Sequence, residues 1–293
     1  MSLKYTFSGH ESFQCRHLWL KKGYDFIKDG NDFNEADSVV KLGVGKNMVH
    51  SIRFWMRAFG MTNDKDELQV IADFLFDHDN GVDPYLEDRN TLWLLHYNLI
   101  TSGKASIYNL FFNNFWRVNT VFHKDRLTRF VKSKCLENNQ SVSPKTIETD
   151  VNVFLKSYAR TSESSLNLED DLSGILLDLA LVVRTENDSG GDRLYKINSD
   201  ASKSVSAELL LFALLSNPKI VSSVDFTNLL NGENSIGNIF CFDRDSLQKK
   251  LKLLAENFTF LVYKEDAGIR TLQFNEKPDK MKLLKKYYKA IAV

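Results

Sequence analysis

The chain has 293 residues, 43% of them hydrophobic and 26% charged, with 38 Lys and Arg balanced by 38 Asp and Glu. This is enough for two domains of about 150 residues or three small modules and too apolar for disorder throughout, and no apolar run approaches the roughly 18 residues of a membrane helix. Cys15, Cys135 and Cys241 lie more than 100 residues apart with no Cys-x-x-Cys, which excludes a disulfide scaffold and a zinc ribbon.

The residues Met1-Ser2-Leu3 lack the charged-then-apolar plan of a signal peptide, so the expected location is the cytoplasm. Next comes the most unusual cluster, Phe7-Ser8-Gly9-His10-Glu11-Ser12-Phe13 followed by Cys15, Arg16 and His17. His, Glu and Cys are zinc-ligand types, but a structural zinc site draws paired ligands from two separated segments, and no second pair lies downstream. Ser8, His10 and Glu11 are the types of a nucleophile and its base, at a spacing that does not give triad geometry. The favoured role is structural: His10 and Glu11 cap the chain or pair with Arg16, while Phe7, Phe13 and Trp19 anchor the first helix. No catalytic, metal or cofactor residue is assigned.

Residues 34–61 read as two helices around a tight turn. Asn34 is placed as the cap of a helix over 35–42, and Gly43 ends it in the left-handed conformation. A second helix over 46–59 is closed by Gly60, and Val39, Leu42, Val44, Val49 and Ile52 supply the contacts of a helix-turn-helix. Lys46, Asn47, His50, Ser51 and Arg53 then fall along and beside one outer face. Lys and Arg suit phosphate or guanine edges, and Asn pairs bidentately with adenine, so these five are the first predicted DNA contacts. The alternative is a packed helical corner with a wet outer face. Gly43-Val44-Gly45-Lys46 lacks the earlier glycine and the following Ser or Thr of a phosphate loop.

Residues 64–88 are acidic, with Lys65 alone to offset them. A calcium loop starting at Asp77 fails in register, and a turn on Asn80-Gly81 is the better account. A helix is expected over 91–99. The aromatic stretch Tyr108, Phe111, Phe112, Phe115, Trp116 and Phe122 reads as core or, together with the acidic segment, as the surface of a protein adaptor. Charge then turns positive: Arg117, Lys124, Arg126, Arg129, Lys132 and Lys134 stand against Asp125. A basic helix over 125–136 is followed by a polar connection, and Ser143-Pro144 starts another helix whose Ile147, Val151, Phe154, Leu155 and Tyr158 share a face. Arg126, Arg129 and Lys132, with Lys145 and Thr146, complete the predicted nucleic-acid contacts. Thr149 and Asn152 also lie off the apolar face, and Glu148 and Asp150 beside them oppose phosphate.

The polar run over 161–171 is the predicted linker. Strands over 179–185 and 193–197 flank Asn187-Asp188-Ser189-Gly190-Gly191, and strands over 258–264 and 269–274 flank Glu265-Asp266-Ala267-Gly268. The last hairpin follows helices over 224–230 and 243–257, the second capped by Asp243, and precedes a lysine-rich helix over 281–288. Helix, helix, hairpin is thus a recurring order. The predicted fold is mainly α with small β hairpins, in tandem helix-turn-helix or winged-helix-like modules. Its expected division is a helical region over 1–160 with one or two helix-turn-helix units, a linker over 161–171 and a winged-helix-like domain over 172–293.

One ordered set of motifs resembles a known family. Phe7-Ser8-Gly9-His10-Glu11-Ser12-Phe13, Trp19-Leu20-Lys21-Lys22-Gly23, Leu42-Gly43-Val44-Gly45-Lys46-Asn47-Met48-Val49, and Asp83-Pro84-Tyr85-Leu86-Glu87-Asp88 with Thr91-Leu92-Trp93-Leu94-Leu95-His96 are similar to the domain of unknown function family 4007. The match thins around Asp266-Ala267-Gly268, and Cys15 and His17 are outside the family pattern. The resemblance implies a bacterial accessory factor encoded near DNA-modification and phage-defence genes, including phosphorothioation systems, and it transfers no catalytic residue. The expected function is therefore a non-enzymatic DNA-binding accessory or regulatory protein without a cofactor. Its expected partners are double-stranded DNA and a DNA-modification enzyme subunit. The alternative is an adaptor that scaffolds such an enzyme without contacting DNA.

Overall fold

In the computed structural model, which describes residues 4–159, 174–185 and 193–291, the chain divides after Asn198 into two units. Helix makes up 54% of the described residues, which also hold two three-stranded antiparallel sheets, so the fold is mainly α with small β. The predicted linker over 161–171 and the turn over 187–191 lie outside the described residues. The strands on either side of that turn belong to the first unit.

The first unit begins with α1 (Trp19–Lys28), α2 (Ser38–Leu42) and α3 (Lys46–Ala58). α1 buries Trp19, Leu20, Gly23, Tyr24 and Phe26 on one side. A Cβ on Gly23 would stand 2.8 Å from Met56 Cγ, so this glycine is what lets α1 cross close to α3. Gly43 (φ 62°) ends α2 in the left-handed region, as its position predicts. The predicted start of α2 is corrected: the helix begins at Ser38 behind Asp37, because the Asn34 amide oxygen accepts from Arg53 instead of capping.

α4 (Val70–Phe76) precedes α5 (Arg89–Thr101), which Asp88 caps by accepting from the N–H groups of Asn90 and Thr91. α5 is buried almost all round, which is the pattern of a helix at the centre of a core. α6 (Ser106–Leu110) continues into a π turn, Phe111–Phe115, and a short 3-10 turn. Tyr108, Phe111, Phe112, Phe115, Trp116 and Phe122 are all buried, and the Phe111 and Phe154 rings lie 4.5 Å apart. Each such ring contributes about 2–3 kcal/mol by leaving water. An adaptor surface built on this stretch is thereby ruled out.

β1 (Val121–His123) leads into α7 (Lys124–Glu137) and α8 (Pro144–Tyr158), and β2 (Val182–Arg184) and β3 (Leu194–Ile197) follow. β3 lies between its neighbours in the order β1-β3-β2, with Phe122 opposite Tyr195. The second unit holds α9 (Ala207–Ser216), β4 (Ser223–Asp225), α10 (Phe226–Asn231), α11 (Ile236–Ile239) and α12 (Arg244–Asn257). The hairpin β5 (Leu261–Asp266) and β6 (Ile269–Phe274) and then α13 (Lys280–Ile291) complete it. Ala267 (φ 48°) and Gly268 (φ 82°) form the two-residue loop of that hairpin. Its sheet runs β4-β6-β5, so in each unit the strand before the helices pairs with the last strand of the hairpin after them.

Candidate nucleic-acid interface

The predicted contacts sit on α3, α7 and α8 of the first unit. On α3, the buried row Val49, Ile52, Trp55 and Met56 turns Lys46, Asn47 and His50 outward, where all three are exposed. Ser51 departs from its predicted role. It is buried, and its hydroxyl donates to the carbonyl oxygen of His10 (3.0 Å), so it anchors a loop and does not face a ligand. Arg53 is also engaged: its Nε donates to Asp66 Oδ2 (2.9 Å) and its Nη1 to Asn34 Oδ1 (2.8 Å). Asp66 holds Arg57 as well, at 2.8 Å, so a phosphate would have to displace a carboxylate to reach either guanidinium.

The loop on α3 is the Phe7–Phe13 motif, and it is tightly built. Ser8, Glu11 and Ser12 all have φ near +60° (61°, 48° and 68°), a conformation costing a non-glycine residue about 1 kcal/mol or more. At Gly9 a Cβ would stand within 2.4 Å of the Phe54 ring, so only glycine fits. Trp55 Nε1 donates to the Phe13 carbonyl (3.1 Å), and the His10 ring stacks on Trp55. His10 Nδ1 accepts from the N–H of Ser12 (3.2 Å), which leaves the ring proton on Nε2, 3.3 Å from Asp150 Oδ1. That contact is electrostatic, not a well-aligned hydrogen bond. Asp150 Oδ1 also accepts from the N–H of Ser8 (2.9 Å), and His10 and Asp150 are only 1% and 2% exposed. The expected pairing of His10 and Glu11 with Arg16 is thus corrected. His10 meets Asp150, Glu11 lies 4.0 Å from His50, and the Arg16 guanidinium sits over Phe13 and Trp19.

Asp150 departs furthest from its sequence-based placement. Helical spacing puts it on the outer face of α8, opposing phosphate, whereas it is the inward tie between α8 and the amino-terminal loop. Its fellow acid Glu148 is neutralised by Lys124 at 2.9 Å. The outer side of these helices also carries Asp125 and Glu137, the latter paired with Lys134 at 2.6 Å, and the other exposed charges there are basic. Leu127, Val131 and Cys135 face the core on α7, which leaves Arg126, Arg129 and Lys132 exposed three residues apart along the opposite side. Lys145 is exposed in the first turn of α8, whose start is set by Ser143: its Oγ accepts from the N–H of Thr146 (3.1 Å). Thr146 is half-buried, and its own hydroxyl pairs with Ser143 (2.8 Å), so it serves the cap. Arg126, Lys132 and Lys145 make no ion pair among the described residues.

The remaining candidates resolve into structure. Cys15 and Cys135 are buried thiols pushed up by burial, and Cys241 is buried too. The Asp77 carboxylate accepts from the N–H groups of Asp79 and Asn80, the predicted turn. Much of the acidic segment is matched: Asp64 pairs with Lys104, Asp66 with Arg53 and Arg57, and Asp73 with Lys28. Lys104 draws Asp64 below the usual carboxylate range, and Lys28 does the same for Asp73. Among the described residues no three His, Cys, Asp or Glu side chains gather into a metal-holding group. No helix there is long and apolar enough to cross a membrane.

The model of the family described as protein of unknown function (DUF4007) matches residues 7–288, and the chain belongs to that family. No curated protein matches it. Two solved structures are similar along nearly its whole length. A magnesium ion-bound SspB crystal structure superposes with a TM-score of 0.84 at 27% identity, covering 98% of this chain and 88% of that one. An SspB crystal structure without that description gives a TM-score of 0.81 at 28% identity, with the same coverage.

Proposed function

We propose that this DUF4007 protein is a DNA-binding accessory protein of a bacterial DNA-modification or defence system, with its primary contact on the α7–α8 face of the first unit. The observation that carries the reading is the outward row Arg126, Arg129 and Lys132, with Lys145 exposed on the next helix, Glu148 paired with Lys124 and Asp150 buried, so that Asp125 is the one acid set among these cations. Fixed cations that lack a carboxylate partner gain most from displacing counterions on a phosphate backbone. Strand, helix, helix and hairpin, with the first strand paired to the last, is also the order of a winged helix, which supports reading α8 as the groove-facing helix of such a module. On α3, Lys46, Asn47 and His50 are available as further contacts. Ser51, Arg53 and Thr146 are left out, because each is occupied within the protein.

The test is a fluorescence-anisotropy titration of the full chain against a mixed-sequence duplex over a range of salt concentrations. Binding is expected to weaken as salt rises. Arg126→Gln/Arg129→Gln/Lys132→Gln is expected to lower the slope of log affinity against log salt by about 2–3 units, since each lost phosphate contact removes about 0.9. A folded variant with an unchanged slope moves the site elsewhere, and no binding by the parent at low salt rejects DNA. A similar structure is named as magnesium-bound, so the same protein is incubated with supercoiled plasmid and magnesium. An accessory binder leaves the plasmid supercoiled. Relaxed or linear products that scale with protein would replace that reading with phosphodiester cleavage.

A further inference from the structure

α13 separates its side chains sharply. Leu283, Leu284 and Tyr288 are buried, and Lys280 lies over the Phe212 ring of α9. Lys282, Lys285, Lys286 and Lys289 are exposed at positions i, i+3, i+4 and i+7, which is one face of a helix, spanning about 10 Å. None of the four makes an ion pair among the described residues, whereas Lys28, Lys41, Lys104, Lys124, Lys134 and Lys219 each sit within 3 Å of a carboxylate.

This arrangement is unfavourable in the free protein. Within the strip, 282–285, 282–286, 285–289 and 286–289 are like-charge neighbours at three or four residues, each costing a few tenths of a kcal/mol. The helix dipole favours cations in the last turn and so accounts for Lys289, but it opposes Lys282 near the amino-terminal end. An ordinary solvated face would mix signs, as α12 does with Arg244, Asp245, Lys249, Lys252 and Glu256. The apolar side of α13 is already used by the core of its unit, so the helix has no free hydrophobic face with which to enter a lipid interface.

We infer that the lysine strip of α13 is a second polyanion contact, fitted to the phosphate backbone of duplex DNA and indifferent to base sequence. This rests on the DNA reading of the first unit and extends it to a surface in the second. Lysine is a point charge that positions a backbone without reading bases, so this contact supplies affinity and not specificity.

The experiment compares three full-length proteins on a mixed-sequence duplex: the parent, Lys282→Gln/Lys285→Gln/Lys286→Gln/Lys289→Gln, and Arg126→Gln/Arg129→Gln/Lys132→Gln. Because all four lysines are exposed, the quadruple variant is expected to melt no lower than the parent. Its salt slope is expected to fall by about 2–4 units, at up to 0.9 per contact, equally on duplexes of different sequence. An unchanged slope and affinity in the quadruple variant, with the α7 triple variant impaired, overturns the strip while the first-unit reading stands. Absence of binding by the parent overturns both. Vesicles with 30% anionic lipid serve as the competing polyanion. A loss of vesicle binding in the quadruple variant, with DNA binding intact, would reassign the strip to a membrane surface and overturn the inference.

Discussion

Both units hold the order strand, helix, helix and two antiparallel strands, β1-α7-α8-β2-β3 in the first and β4-α10-α12-β5-β6 in the second, where α11 is inserted, and the second helices are offset by 100 residues. Ser143 caps α8 and Asp243 caps α12, each accepting from the N–H three residues on. Ile147, Val151 and Phe154 are buried on α8, as are Leu247, Leu251 and Leu254 on α12. The outer faces diverge. Lys145, Thr149 and Asn152 on α8 correspond to Asp245, Lys249 and Lys252 on α12, and the hairpin beside α12 pairs one of these cations. Glu265 accepts from Arg270 Nε at 2.6 Å and lies 3.7 Å from Lys252. In the second unit the row of like charge stands on α13, at Lys282, Lys285, Lys286 and Lys289. One topology thus carries two distributions of charge, which is why the ligand has to be argued from side chains and not from fold.

The largest expected effect tests the matched inner positions Asp150 and Lys250. Asp150→Ala removes the acceptor of the Ser8 N–H and leaves the His10 ring buried without its counterpart, so a loss of about 1–3 kcal/mol is expected in urea unfolding. Lys250 is a half-buried amine whose pKa burial lowers, with Glu208 as its charged counterpart. Lys250→Met is therefore expected to leave the urea midpoint unchanged or raise it. A destabilised Lys250→Met would show that both units depend on a polar tie at this position.

A smaller effect probes the hairpin. Glu265→Gln releases Arg270 and Lys252, and is expected to steepen the salt dependence of DNA binding by up to about one unit. If binding does not respond, the face formed by α12 and the hairpin is not near DNA, and the contrast between the units becomes sharper.

The smallest effect separates two carboxylates by the source of their stabilisation. Asp73 is drawn below the usual range first by the hydrogen bond from Lys28, and Asp243 first by the backbone N–H of Ser246. A depressed carboxylate contributes stability above its unfolded pKa and loses it as pH falls through the folded value. Asp73→Asn and Asp243→Asn should each make the fall of Tm below about pH 4 shallower. Each change should stay within about 2 °C, because both sites are near the surface. Half-molar salt should abolish the Asp73 contribution and spare that of Asp243, since ion pairs are screened and helix caps are not.

Much of this molecule is legible in its sequence because local physics governs it. Caps, turns and helix faces depend on residues within four positions of one another, so Ser143-Pro144 and Asp243 mark helix starts, Gly43 and Gly60 mark ends, and Ala267-Gly268 marks a hairpin. Periodicity likewise places Arg126, Arg129 and Lys132 on the outer side of α7. Where periodicity fails, the failure is one of partner choice: Ser51 and Asp150 both sit where a helical wheel allows either role.

The sequence by itself therefore determined most of the long helices, the caps Ser143 and Asp243, the recurring order of elements and the rows of charge. Only the tertiary structure decided which of those charges remain free. His10 meets Asp150 across 140 positions, Arg53 is taken by Asp66, and Tyr108 through Phe122 turn inward to meet Phe154 and Tyr158. The physical reason is that a buried polar group or ring must find its complement wherever the chain brings one, and that choice is settled by packing the whole core.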